Sequence, residues 1–181
     1  MRGRRTAGFS LIELLIVVGL VAVVAGMAVP TIAAGMRRYS LISASQAVAS
    51  TIRSARFQAV AKNRTLRVRF NCPAAGQYRV VEFTASPIID ATANRCDPAV
   101  YQFPDPDAAA LPNLDGPVIL LPGGAQFGAL SDLEIDVTGR ITPLTGCPAC
   151  AAAAPPASIV LTDGTQTKTI TVSGSGQVQL P

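Results

Sequence analysis

Gly8-Phe9-Ser10-Leu11-Ile12-Glu13-Leu14-Leu15-Ile16-Val17-Val18-Gly19-Leu20-Val21-Ala22-Val23-Val24-Ala25-Gly26-Met27-Ala28-Val29-Pro30 is an apolar run with one acid near its start. Positions 14–36 hold no charged residue. At about 1.5 Å per helical residue they span roughly 34 Å, enough to cross the ~30 Å hydrocarbon core of a bilayer. Glu13 is the exception, since a carboxylate in such a helix costs about 2.5–3.5 kcal/mol unless a partner meets it. The preceding Met1-Arg2-Gly3-Arg4-Arg5-Thr6-Ala7-Gly8 carries three arginines and no acid, and it ends in a small residue directly before Phe9. Two plainer readings compete. A secretory signal with a small-residue site around Ala25-Gly26-Met27-Ala28 fits poorly, because the run is longer than the ~7–15 apolar residues such signals use and contains a glutamate. A simple single-pass anchor leaves Glu13 and the Gly8-Phe9 junction unexplained.

Gly8-Phe9-Ser10-Leu11-Ile12-Glu13 resembles the class III signal of type IV pilins and type II secretion pseudopilins, and Pro30 late in the apolar segment extends the resemblance. The resemblance implies that a prepilin peptidase cuts between Gly8 and Phe9 on the cytoplasmic side and methylates the new N-terminus at Phe9. It implies that Glu13 meets the free amine of Phe9 on a neighbouring subunit. It also implies a single-pass protein of the inner membrane with its C-terminal head in the periplasm. Charge alone orients the chain only narrowly, because Arg37 and Arg38 flank the far end of the run opposite the leader arginines.

Lys and Arg number 15 against 11 Asp and Glu, giving +4. Three of those arginines lie in the leader, so removal of residues 1–8 leaves 12 against 11, or +1. The remainder is segregated: positions 37–69 hold eight basic residues and no acid, whereas positions 82–136 hold nine acids against Arg95. A basic stalk base and an acidic head are expected. The apolar fraction of 49% is concentrated early in the chain, so the head should be an ordinary single domain.

Pro30 lacks an amide donor and clashes with the preceding turn, which predicts a kink or local melting near residues 25–27, beside Gly26. Farther on, Leu41, Val48, Ile52, Ala55 and Ala59 share one helical face and should pack on the head. Arg53 and Arg56 lie off that stripe and read as part of a solvated basic surface with Lys62, Arg64, Arg67 and Arg69. Thr65-Leu66-Arg67-Val68-Arg69-Phe70 alternates with period two and reads as a strand, returned by Tyr78-Arg79-Val80-Val81-Glu82-Phe83 through a turn at residues 73–76. Residues 86–117 are proline-rich and loop-like, with room only for a short edge strand near 100–103. Further strands are expected at 118–121, 133–137, 158–161, 169–172 and 176–180.

This order is similar to the GspH/FimT branch of the family, as are Ser54-Ala55-Arg56-Phe57-Gln58-Ala59-Val60-Ala61-Lys62-Asn63-Arg64 and Thr138-Gly139-Arg140. The expected fold is α+β, a long N-terminal transmembrane and amphipathic helix packed on an antiparallel β-sheet head. Its divisions are a leader at 1–8, a transmembrane half of the helix at 9–36, an amphipathic periplasmic half at 37–64 and a β-rich head at 65–181.

Cys72, Cys96, Cys147 and Cys150 all fall in the part assigned to the periplasm, where paired thiols are the default. Three connectivities exist for four cysteines. Cys72–Cys96 with Cys147–Cys150 is favoured, the first closing the loop after the leading hairpin and the second being local. A loop of about 15 residues is worth about 3 kcal/mol in the entropic account, and the longer first bridge somewhat more. Cys147-Pro148-Ala149-Cys150 lacks the βαβ setting of a redox pair, and Cys72 and Cys96 stand too far apart for half of a zinc knuckle. No metal or cofactor is expected.

The chain has no histidine, hence no histidine base for a serine or cysteine nucleophile, and no enzyme is expected. The resemblance implies instead a minor pseudopilin or minor pilin, a structural subunit of a type II secretion pseudopilus or a type IV pilus, whose partners are other pilin or pseudopilin subunits, the prepilin peptidase and the inner membrane. The FimT side also includes DNA receptors for natural transformation. That alternative would draw on Arg67, Arg69 and Arg140, and phosphate binding needs several such cations acting together.

Overall fold

The computed structural model describes residues 10–90, 93–104, 114–128, 132–145, 151–152 and 156–180. Two compact units divide the chain, Met1–Arg38 and Tyr39–Pro181.

Helix α1 runs from Leu11 to Lys62. Ser10 is its N-cap residue, its carbonyl accepting the Leu14 amide at 3.1 Å, and Glu13 lies in the first turn, where the helix dipole favours an acid. In the first unit Leu11–Ala28 has a mean hydropathy of 2.7 with none of it buried, which makes it long and apolar enough to cross a membrane. The helix continues unbroken through residues 25–30, so the local melting expected there is not found. Proline removes a single hydrogen bond, and the apolar turns on both sides keep theirs.

In the second unit α1 buries Leu41, Ala44, Val48, Ile52, Ala55 and Ala59, the stripe that its 3.6-residue period puts on one face. Termination is local. Asn63 takes a left-handed φ of 52°, its amide reaches the Val60 carbonyl at 3.3 Å, and the Arg64 amide reaches the Ala59 carbonyl at 3.0 Å, the paired bonds of a Schellman end.

The head is antiparallel β in two sheets. The larger has the order β3-β2-β1-β5-β6-β7, formed by Ile119–Leu120, Gln77–Glu82, Leu66–Phe70, Asp132–Ile135, Ile141–Thr145 and Ala151–Ala152. The smaller is β10-β9-β8-β4, from Val178–Gln179, Thr167–Val172, Ala157–Thr162 and Gln126–Phe127. Strand β1 keeps the alternation of its sequence, with Leu66, Val68 and Phe70 buried in the core shared by α1 and both sheets. Phe70, Tyr78 and Phe127 stack there, the Phe70 and Phe127 rings 4.9 Å apart, and the Tyr78 hydroxyl meets Thr51 Oγ1 of α1 at 3.2 Å. Burial raises the Tyr78 pKa, and that hydrogen bond only partly opposes it.

Three elements depart from the sequence expectation. Residues 100–103 form no edge strand; 98–100 are a turn, and the segment before it folds as a short helix α2 at Pro87–Asp90 and a 3-10 turn at Ala93–Cys96. Strand β5 ends at Ile135 rather than 137, because the Asp136 carboxylate caps the following turn by accepting the Thr138 amide, the Thr138 hydroxyl and the Arg140 amide. Strand β6 was not among the expected strands, and it contains Pro143. The Asp136 amide bonds the Arg140 carbonyl at 3.0 Å, so the hydrogen-bonded positions toward β5 are 142 and 144, and the Pro143 nitrogen points away from β5. On that same outer side the Ile141 amide joins the two sheets through the Gly174 carbonyl at 3.1 Å.

Candidate functional site

Gly8 and Phe9 lie outside the described residues, as do Cys147 and Cys150. Glu13 is exposed near the start of α1, among Leu11, Ile12, Leu14 and Leu15, all exposed, Leu11 at 76%. The helix thus offers apolar side chains around its circumference with one carboxylate at its N-terminal end. Such a surface can be covered by lipid or by other apolar helices, and its acid can meet a cation presented at the same depth.

The basic surface is arranged differently from the expectation. Arg67 and Arg69 are not solvated cations. Arg67 stands opposite Glu134 on β5, its Nη2 2.8 Å from Glu134 Oε2, and its guanidinium lies 4.1 Å from the centre of the Phe83 ring. Arg69 Nε is 3.4 Å from Asp132 Oδ2. Burial raises the Asp132 pKa, although the Phe70 amide and Arg69 pull it down. Arg64 Nε is 3.5 Å from Glu82 Oε1. On α1, Arg53 donates to the Val178 carbonyl at 3.2 Å and Arg56 to the Gly139 carbonyl at 2.9 Å. Arg140 is exposed on the β5–β6 turn. Of the three arginines considered for DNA, two are therefore committed to carboxylates across the sheet.

Cys72 and Cys96 form a disulfide, as expected. It anchors the proline-rich segment to the end of the leading hairpin, beside a buried charge cluster that the sequence reading missed. Arg79 is wholly buried and donates to the carbonyls of Gly116 at 2.6 Å, Arg95 at 3.1 Å and Tyr101 at 2.6 Å. Desolvation lowers its pKa, opposed by Asp115. Arg95, 1% exposed, makes a two-pronged contact with Asp115 at 2.9 and 3.0 Å, reaches Asp90 at 3.4 Å, and donates to the Glu82 carbonyl. Asp115 in turn accepts the Glu82 amide at 2.8 Å. The available signal was Arg79 in the middle of an apolar strand followed by an acid-rich segment. Among the described residues no group of three or more Cys, Asp or Glu side chains is arranged to hold a metal ion.

Two family models match the sequence. Residues 3–29 match the prokaryotic N-terminal methylation motif, and residues 44–176 match the family described as type II transport protein GspH. Among solved structures, the chain is similar to the type IV minor pilin FimU of Pseudomonas aeruginosa, with a TM-score of 0.49 and 15% identity over 80% of this chain and 90% of FimU. It is also similar to the minor pseudopilin EpsH from the Type 2 Secretion System of Vibrio cholerae, with a TM-score of 0.46 and 11% identity over 78% of this chain and 96% of EpsH. No curated protein matches the sequence. With the GspH match spanning residues 44–176, well over half of the chain, and the methylation motif preceding it, the chain belongs to the GspH family of type II transport proteins.

Proposed function

We propose that this chain is a minor pilin or pseudopilin, made as a precursor, cut between Gly8 and Phe9 by a prepilin peptidase, methylated on Phe9 and assembled in the inner membrane with other subunits of its kind. The head then faces the periplasm, an oxidising compartment in keeping with the Cys72–Cys96 bond. The observation that carries the reading is the wholly exposed apolar helix Leu11–Ala28 within the methylation-motif match at residues 3–29. Lipid alone would account for the apolar surface. It would not account for Glu13.

Cleavage creates a cation at the amine of Phe9, four residues before Glu13. Across two helices offset along their axes, the amine of one meets the acid of the next. Each charge offsets the other's cost in hydrocarbon, and the pair fixes the axial register between neighbours. Glu13→Val removes the acid and keeps an apolar helix, so insertion and cleavage should proceed while co-purification with filament subunits is lost. Incorporation at the wild-type level would contradict the role of Glu13.

A further inference from the structure

Where β1, β2, β5 and α2 meet, a cavity with ≈ 10 Å³ of room for a water-sized centre is lined by Arg67, Arg69, Glu82, Asp90, Arg95 and Asp132. Three polar atoms of these residues are buried without a hydrogen-bond partner, Arg69 Nη1, Asp90 Oδ2 and Glu82 Oε1, and the last of them is met by Arg64 Nε at 3.5 Å. Asp90 is otherwise held firmly. Its side chain is 7% exposed, and its Oδ1 accepts the Thr84 amide and the Thr84 hydroxyl, each at 3.0 Å, and Arg95 Nη1 at 3.4 Å. Arg69 is held through its Nε, 3.4 Å from Asp132 Oδ2. The other two atoms are therefore one donor and one acceptor, on side chains whose remaining atoms fix them in place.

We propose that this cavity binds a single ordered water, which accepts a hydrogen bond from Arg69 Nη1 and donates one to Asp90 Oδ2, joining α2 to strand β1. Volume and charge select water over an ion. The space is about what one water centre requires. A cation would face the guanidinium groups of Arg67, Arg69 and Arg95, and an anion the carboxylates of Glu82, Asp90 and Asp132. Water alone can satisfy a donor and an acceptor at once. The site lies beside the charge cluster that docks the proline-rich segment, so the water would add a bridge to that joint.

Crystallography of the full chain in detergent, at a resolution that reveals ordered solvent, should show one water within hydrogen-bonding distance of both atoms. No density there, or an ion, would overturn the proposal. A second measurement uses Val81, a buried wall residue of the same cavity. Val81→Ile places a methyl group in the space, which should lower Tm by a few degrees because two buried polar atoms lose their bridge. An unchanged or higher Tm is the outcome for a dry void that has been filled. Simple overpacking is separated by the double-mutant cycle: in an Arg69→Met background, which leaves no unpaired donor, the loss on Val81→Ile should shrink, and an equal loss would count against the water.

Discussion

Arg56 shows how a single residue ties helix to head. Its Nε donates to the Gly139 carbonyl, and the side chain passes so close to Gly176 that a Cβ there would lie 2.5 Å from Nε. A Cβ at Gly139 would sit 3.0 Å from the same atom, and both glycines have positive φ, 80° and 83°. The two turns can close around the arginine only because neither carries a side chain. Gly176→Ala should therefore cost about 1–3 kcal/mol through backbone strain and displacement of Arg56, read as a lower midpoint in denaturant. Asp136 permits a pH test at the neighbouring turn. Although burial pushes its pKa up, the Thr138 hydroxyl and the Arg140 and Thr138 amides hold it below the ordinary value. Its contribution to stability is then fully present above the ordinary aspartate pKa of about 3.9 and is lost as pH falls through the lower folded value. In melts against pH, the deficit of Asp136→Asn should be largest near neutrality and shrink in acid. A deficit that does not change with pH would contradict the assignment.

At the scale of elements, the Cys72–Cys96 bond closes a loop with a sequence separation of 24. The chain-entropy account puts its contribution at about 3.5 kcal/mol, so the pair Cys72→Ser and Cys96→Ser should lower the unfolding free energy by about that much, with a denaturant series as the readout. A loss confined to the proline-rich segment, detected as faster amide exchange there with an unchanged midpoint, would mean that the segment is docked by Arg79 and Arg95 without the disulfide. The long elements were legible in the sequence for simple reasons. Leu66, Val68 and Phe70 alternate, and Leu41, Val48, Ile52, Ala55 and Ala59 recur at helical spacing, because each element meets the core with one face. What was not legible depends on partners distant in sequence. Strands β4 and β7 have two residues each and exist as additions to a longer neighbour's edge. Strand β6, absent from the expectation, carries Pro143, which is tolerated because its nitrogen faces away from β5. The burial of Arg79 and Arg95 was not foreseen, since nothing local marks an arginine whose acceptors are carbonyls and a carboxylate brought in from residues 90–116.

For the whole molecule, the separation of charge along the chain is largely undone in the fold. Basic residues from positions 64–69 meet acids from 82–134 in the pairs Arg64–Glu82, Arg67–Glu134 and Arg69–Asp132. The same sheet that buries the apolar residues of β1 on one side spends its arginines on the other. The head thus pairs several of its charges internally, while the helix Leu11–Ala28 is not buried at all. A membrane-borne subunit that is released from its leader and then assembled is the account that uses both facts. Mass spectrometry of the protein extracted from membranes of cells that express a prepilin peptidase tests it most directly. The account predicts a chain beginning at Phe9 with one added methyl group and residues 1–8 gone; an intact Met1, or a start near Ala28, would contradict it.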